Sequence, residues 1–407
     1  MSKIVVLGGC GGIGSVAVKA LAAGAYFDEI VVADTRLPVA QALVAQIGKP
    51  SLRALEVDAN SPESLRAAIT GADVVLNAIG PFYRFGPPVL RAALDARVRY
   101  VDVCDDLAPT VKMLALDDEA RAAGVSALVG MGNSPGLANV FVRLCKDQLL
   151  ETVETVDILH IHGGEPEEGP AVVKHRIHAR VNDVPLFLDG QMVSVRQLEP
   201  SGQAHVVETD FRGVGRFPVY PYPHPETITL PKYIPGLKRA TNMGVIFPLS
   251  YFHLTQEMVR VGACTETPLR VSGVDVVPLE FSVAHILSRR AELLRAAGVT
   301  GPGGCLKVVV GGTKRGEPRT YVFSLSSSTA GAGEGTGIPA AVGAVLMARG
   351  KITRLGVFPP EAGVDPLDVL PLAMEMVAHL KVNSGGETIH VESIDAAGNR
   401  ETIPLAF

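Results

Sequence analysis

The opening of the chain constrains it most: an apolar run, Ile4 to Leu7, breaks into Gly8-Gly9-Cys10-Gly11-Gly12-Ile13-Gly14. An uninterrupted run of this kind suits a strand buried on both faces of a parallel sheet. Gly9, Gly11 and Gly14 follow in G-x-G-x-x-G spacing, and each has a steric reason. The first permits a tight turn, the second lets backbone amides approach a pyrophosphate, and the third lets the next helix pack on the strand. The start of that helix then faces the phosphates with unpaired N–H groups. Apolar positions Ile13, Val16, Ala17, Ala20 and Leu21 predict the helix, and Gly24 ends it. A second strand, Ile30 to Ala33, delivers Asp34 to where an adenosine ribose diol is held, with Thr35 and Arg36 after it. Strand, turn, helix, strand and acid in this order indicate a dinucleotide site, with Gly9, Gly11, Gly12, Ile13, Gly14, Asp34, Thr35 and Arg36 as its residues. Because Asp34 accepts from both ribose hydroxyls and repels a 2′-phosphate, NAD is expected over NADP, with Arg36 offering a route to NADP.

The alternation continues. Leu52 to Val57 reads as a strand ending in Asp58, Ala59 and Asn60, which are expected to join the cofactor site, and Ser61 with Pro62 opens a helix. Asp73 to Ala78 is a fourth strand, at whose carboxyl end Ala78, Ile79, Gly80, Pro81 and Phe82 are expected to line the nicotinamide ribose. A helix over 86–96 leads to a strand over 99–103, followed by Cys104, Asp105 and Asp106. A helix over 116–123 and a strand over 125–129 bring the alternations to six. Beyond the turn Gly132-Asn133-Ser134-Pro135-Gly136 the pattern changes to period two, predicting strands over 153–162, 172–181, 193–198, 306–310 and 321–326. Lys314-Arg315-Gly316-Glu317 fits a hairpin turn, and the proline-rich 217–235 reads as an irregular loop. The expected fold is α/β: a Rossmann doubly wound parallel sheet over 1–132 and an inserted α+β substrate and dimerisation domain, with a mostly antiparallel sheet, over 133–330. Over 331–407, helices return to the first domain and a terminal strand follows.

At 407 residues the chain is long enough for more than one core. A net charge of −5 and 5% aromatics without Trp leave neither a basic footprint nor stacking platforms, so no nucleic-acid partner is expected. Five cysteines without a C-x-x-C pair suggest no disulfide framework or thiolate zinc site and fit a reducing cytoplasm. No apolar stretch reaches the roughly 18–20 residues of a membrane span, so no membrane partner is expected. A soluble homodimer acting on small molecules is the expectation.

The glycine turn, Asn77-Ala78-Ile79-Gly80-Pro81-Phe82, Tyr100-Val101-Asp102-Val103, Pro135-Gly136-Leu137-Ala138-Asn139 and Pro359-Pro360-Glu361, in that order, make the chain resemble the saccharopine dehydrogenase family. The resemblance implies NAD(P)-dependent chemistry at a carbon–nitrogen bond: oxidation of an amino acid's amine, or reduction of an imine formed from an amine and a carbonyl compound. The chain departs from the family where Asn133 and Ser134 precede Pro135 and where Asp105 and Asp106 follow Cys104, so the substrate does not carry over. Tyr100, Cys104 and Asn133 lie on these motifs and are expected near the substrate.

Hydride transfer needs a group to take the amine proton and charges to orient carboxylates. Asp105, Asp106 and Asp102, at the end of the fifth strand, are the candidate acid–base groups. Lys174, Arg176, His178 and Arg180 alternate and would share one strand face, which makes Arg176 and Arg180 candidates for a substrate carboxylate. His160, His162 and Glu165 lack a third ligand at convincing spacing, so no metal is expected. A ketone-reducing short-chain dehydrogenase is disfavoured because no Tyr-x-x-x-Lys occurs. The alternative is an NAD(P)-binding sensor or subunit without catalysis.

Overall fold

The computed structural model describes residues 2–165, 168–327, 332–381 and 389–404. The boundary expected at residue 330 lies outside them, as do the last three residues of the third segment.

The chain starts with six βα alternations: β1 (Lys3–Leu7), α1 (Gly14–Ala23), β2 (Glu29–Asp34), α2 (Leu37–Ile47), β3 (Leu52–Glu56), α3 (Pro62–Ile69), β4 (Val74–Asn77), α4 (Phe82–Asp95), β5 (Arg99–Asp102), α5 (Leu107–Leu114), α6 (Asp117–Ala123) and β6 (Ser126–Leu128). The strands are all parallel in the order β6-β5-β4-β1-β2-β3, so the sheet reverses direction between β1 and β4, where a doubly wound fold opens its crevice. Ile4 to Leu7 and Val74 to Leu76 are wholly buried, as strands covered by helices on both faces require. Two helices differ from expectation. α4 starts at Phe82, four residues early, so the Gly80-Pro81 turn is itself the entrance to a helix; α5 fills the stretch after Asp106 to which the sequence assigned no element.

The second domain follows with α7 (Leu137–Leu144), β7 (Thr152–Gly163), α8 (Pro170–Val181), β8 (Val184–Leu188), β9 (Gln191–Val195), α9 (Pro200–Gln203), β10 (Val207–Phe211), β11 (Gly215–Pro221), α10 (Glu226–Tyr233), β12 (Arg239–Phe247), α11 (Leu249–Arg260), β13 (Leu269–Val271), β14 (Val274–Val276), α12 (Pro278–Ala296), β15 (Gly303–Lys314) and β16 (Glu317–Ser327). Its large sheet runs β10-β11-β12-β7-β15-β16, with β12–β7 its parallel pair and the rest antiparallel. β15 and β16 join through Arg315 (φ 55°) and Gly316 (φ 77°), the left-handed pair that a two-residue hairpin turn needs.

Two expectations are corrected here. Residues 172–181 are not a strand. Pro170 opens α8, and Val173, Arg176, Ile177 and Arg180 are all buried at i, i+3, i+4 and i+7, a helical face that the alternating charges concealed. The stretch 217–235 is not irregular: it supplies β11 and α10, with Pro218 and Pro221 inside the strand and Pro231 inside the helix.

The chain then returns through α13 (Ala332–Ala348), β17 (Gly356–Phe358), α14 (Pro360–Gly363), α15 (Pro366–Leu380), β18 (His390–Ile394) and β19 (Arg400–Thr402). α13 packs on α1 so closely that a Cβ at Gly337 would sit 2.7 Å from the Ile13 carbonyl oxygen. β17 adds a seventh parallel strand beside β6, while β18 and β19 extend the second sheet from β16. Phe141 of α7 stacks on Phe323 of β16 at 4.7 Å, within one apolar core that runs from the first sheet into the base of the second. A smaller core packs α8, α11 and α12 on the far end of the second sheet through Val173, Ile177, Phe252, Val283 and Ile286.

Candidate active site

At the crevice between β1 and β4, the glycine turn is built around a close approach. A Cβ at Gly14 would lie 2.1 Å from the Gly8 carbonyl oxygen, and Gly8 itself takes φ 72°. No side chain caps α1, and space is open around Gly12, so the first amides of that helix face a cradle that a phosphate group fits. Asp34 is buried at the tip of β2, but it is not free: Oδ1 accepts from the Arg36 N–H and Nε (both 3.1 Å), and Oδ2 accepts from the Cys10 N–H at 3.2 Å. Burial opposes its charge, yet these donors hold its carboxyl below the usual range. Asp58 folds its own turn by accepting from Asn60, whose Oδ1 accepts from Arg84 of α4, and Ala59 lies between them. Thr35 follows Asp34 beside this edge. After β4, the Ala78 N–H bonds Leu7 and the Ile79 N–H bonds the Asn77 side chain, fixing the path of Gly80, Pro81 and Phe82 beside the glycine turn.

A cavity of about 1020 Å³ extends from this turn to the second domain. Ile13, Gly80, Pro81 and Phe82 line one wall; Asp105, Asp106 and Asn133 line the floor; His160, His162, His175, Tyr222 and His224 line the opposite wall. Asn133 presents a buried Oδ1 with no hydrogen-bond partner. Asp106 occupies the N-cap of α5 without capping it, and its Oδ1 instead lies 2.8 Å from His175 Nδ1. Asp105 Oδ2 stands 3.8 Å from His175 Nε2. Burial works against a charge on His175, but Tyr222, Asp105 and Asp106 outweigh it and raise its pKa well above the ordinary value. Enclosure raises the Asp105 carboxyl as well, with His175 opposing and Asp106 adding to the shift. The result is an acid–base cluster assembled from the end of β5 and one face of α8.

Asp102, Tyr100 and Cys104 sit beneath this floor and do not line the cavity. Asp102 Oδ1 accepts from the N–H groups of Gly130 (2.7 Å) and Cys104 (3.1 Å), and Oδ2 accepts from the Tyr100 hydroxyl at 2.9 Å. Those bonds shape the loop that presents Asp105 and Asp106. Burial pushes the Asp102 carboxyl up to about 6 despite them.

The two arginines are also displaced from their expected role. Arg176 lines the cavity, but its guanidinium is paired with the buried Glu168, which also accepts from Tyr251 and faces Arg290. Arg180, one turn further along α8, donates to the Arg176 carbonyl and stacks 4.6 Å over Phe252, inside the smaller core. A helix directs i and i+4 to one face, so these side chains brace α8 instead of forming a row along a strand.

The sequence reading missed His175, His224 and Glu226. His175 was hidden by the strand assignment, and His224 and Glu226 lay in the stretch read as irregular. Among the described residues, Asp105, His175 and His224 are the three that bring ligand-type atoms within 4.8 Å of one another. Asp106 fixes one nitrogen of His175.

Residues 4–128 match the family described as the saccharopine dehydrogenase NADP binding domain. The chain is 26% identical to a carboxyaminopropylagmatine dehydrogenase of Synechocystis, over 92% of this chain and 96% of that protein. It is 25% identical to a carboxynorspermidine synthase of Vibrio cholerae, over 89% and 93%. Its fold follows an apo saccharopine dehydrogenase (L-Glu forming) of Saccharomyces cerevisiae across 99% of this chain and 100% of that one, with a TM-score of 0.67 at 15% identity. The first domain thus matches that family's cofactor-binding domain, and the whole length follows the fold of that saccharopine dehydrogenase.

Proposed function

We propose that the protein is an NAD(P)-dependent oxidoreductase acting on a carbon–nitrogen bond of an amino acid or an amine derived from one, through an imine. The observation that carries this reading is the Asp105–Asp106–His175 cluster facing the Gly80-Pro81-Phe82 turn across one cleft. In it, residues 1–132 hold the dinucleotide, 133–330 the amine and its carbonyl partner, and 331–407 close both domains. The bound nicotinamide supplies or accepts hydride at the carbon bearing nitrogen. In its neutral form, reached as pH rises through its raised pKa, His175, oriented by Asp106, takes the proton from the substrate ammonium, because the amine must be neutral to attack a carbonyl carbon. Asp105 attracts that ammonium beforehand. The buried, unpartnered Asn133 Oδ1 offers an acceptor for an N–H of the substrate or cofactor.

For the cofactor we infer use of both forms, NADP included. Arg36, 57% exposed and clasped on Asp34, neutralises the acid that would repel a 2′-phosphate, which works against a strict NAD preference. The relatives are named as dehydrogenases and synthases, which favours catalysis over a sensor or subunit role. A cytoplasmic homodimer fits five free cysteines and the exposed Leu269, Val271, Val274 and Phe281 of the second domain. No described helix is long and apolar enough to cross a membrane. The test is a screen of amines paired with oxo acids and aldehydes, and of lysine-like amines alone, followed by absorbance of the reduced cofactor. Turnover with an amine–carbonyl pair or an amine alone supports the reading, and binding of cofactor without turnover of any pair refutes it.

A further inference from the structure

Behind the histidine wall lies a carboxyl that the reading above does not use. Glu226, the first residue of α10, is wholly buried. Its Oε1 accepts from Ser134 Oγ and, at 3.3 Å, from Asn242 Nδ2; its Oε2 has no hydrogen-bond partner and lies 3.8 Å from His224 Nδ1. No described lysine or arginine forms an ion pair with it. The titratable groups around the pair are His160 and His162 of β7, His175 of α8, Asp105 beyond β5 and Glu361 of α14. Burial pushes the Glu226 carboxyl up to about 7; Ser134 opposes the shift, and Glu361 and Asp105 add to it. His224 lines the cleft, and burial among the other histidines drives its own pKa well down. The neighbouring bonds run in one direction. His160, kept neutral by burial with a pKa of about 3, lies with Nε2 3.1 Å from Asn242 Oδ1; Asn242 Nδ2 donates to Ser134 at 3.1 Å and lies 3.3 Å from His224 Nδ1, and Ser134, its Oγ 3.5 Å from the same nitrogen, donates to Glu226. That chain holds Oε1 as the acceptor and leaves Oε2, facing His224, as the oxygen that carries a proton.

We propose that Glu226 and His224 form a proton-holding pair for the loss of water in imine formation, separate from the His175 cluster that neutralises the amine. This rests on the functional reading above. In the condensing direction the neutral carbinolamine hydroxyl takes a proton from His224 while Glu226 Oε2 closes its 3.8 Å gap to His224 Nδ1 and gives that nitrogen a proton. The C–O bond breaks, its electron pair leaves with the oxygen as water, and the nitrogen lone pair forms the C=N bond. The products are water, a cationic iminium and an ionised Glu226. Glu226 and Ser134 act through His224 and are positioning residues.

Infrared titration of the holoenzyme and kinetics of Glu226→Gln and His224→Asn test this. Wild type should show a carboxylic-acid carbonyl band that fades as pH rises through about 7; Glu226→Gln should lack it and His224→Asn should keep it. In both variants cofactor affinity should stay within about twofold, while kcat for amine plus carbonyl falls at least about tenfold, as removal of a general acid does. In Glu226→Gln the fall of kcat above neutral pH should also disappear. Absence of a band that Glu226→Gln removes overturns the proposal, and so does a wild-type kcat and pH profile in that variant. A wild type inert toward every amine and carbonyl refutes the functional reading, and the infrared titration still decides whether the pair holds the proton.

Discussion

Two glycines of the first turn should respond to substitution in opposite ways. At Gly14 an added Cβ would stand 2.1 Å from the Gly8 carbonyl oxygen, 2.8 Å from its carbon and 3.0 Å from the Gly9 Cα, all backbone atoms that no rotamer can move. Carbon and oxygen accept a separation of about 3.3 Å, so α1 must shift by roughly 1.2 Å against β1. It cannot do so freely, since α13 presses on its other side through Gly337. Overpacking of this kind costs about 3 kcal/mol, which lowers Tm by about 6–12 °C in a cooperative unit of a few hundred residues. At Gly11 the added Cβ meets only the Gly8 oxygen, at 3.3 Å. Gly11→Val should therefore leave the free protein within about 0.5 kcal/mol of wild type, yet weaken dinucleotide binding at least about a hundredfold by filling the pyrophosphate's place. Thermal unfolding without cofactor and calorimetric titration with it separate the two effects. Wild-type affinity in Gly11→Val would refute the cradle, and an unchanged Tm in Gly14→Ala would refute the packing argument.

Three further outcomes follow from the site. Arg36→Ala should lower kcat/KM with NADP at least about tenfold and with NAD by much less, because it removes the fork that meets a 2′-phosphate; equal losses would show that Arg36 serves only Asp34. His175→Gln should lower kcat by about two orders of magnitude. It should also lower stability in a pH-dependent way, since the raised pKa of His175 means that its pairing stabilises the fold fully below the ordinary histidine value and is lost as pH rises through the raised one. Urea unfolding from acidic to basic pH should therefore show the gap between variant and wild type narrowing. Arg176→Ala should act on stability before it acts on KM, costing about 2–3 kcal/mol by leaving the buried Glu168 with Tyr251 and Arg290 alone, and a variant of native stability with a raised KM would return Arg176 to the substrate.

The first domain was legible in the sequence because each of its signals is local. A β-branched run, a glycine turn and an acid at the next strand's end lie within about thirty residues, and the buried strands β1, β2 and β4 leave no choice of face. The second domain was read less well because its signals compete. In α8 the charges of Lys174, Arg176, His178 and Arg180 alternate as on a strand, while the burial of Val173, Ile177 and Arg180 follows a helix. Period two in the polar residues was misleading because two of the arginines point inward, which is uncommon for that side chain. At the site, Asp105 and Asp106 could be found from their strand end. His175 and His224 could not, because their relation to those acids is made by tertiary packing between stretches with no common local motif.

The two sheets are completed by strands made late. Gly356 to Phe358 pair with Ser126 to Leu128, and α13 covers the apolar side of α1, so a ribosome releases the glycine turn and its six strands long before their neighbours exist. During that interval the β6 edge is open and the side of α1 that meets α13 at Ile13, Val16 and Ala17 is uncovered, which is the condition that invites edge pairing between nascent chains. A fragment ending near residue 132 would keep this condition permanently and should need a chaperone to remain in solution.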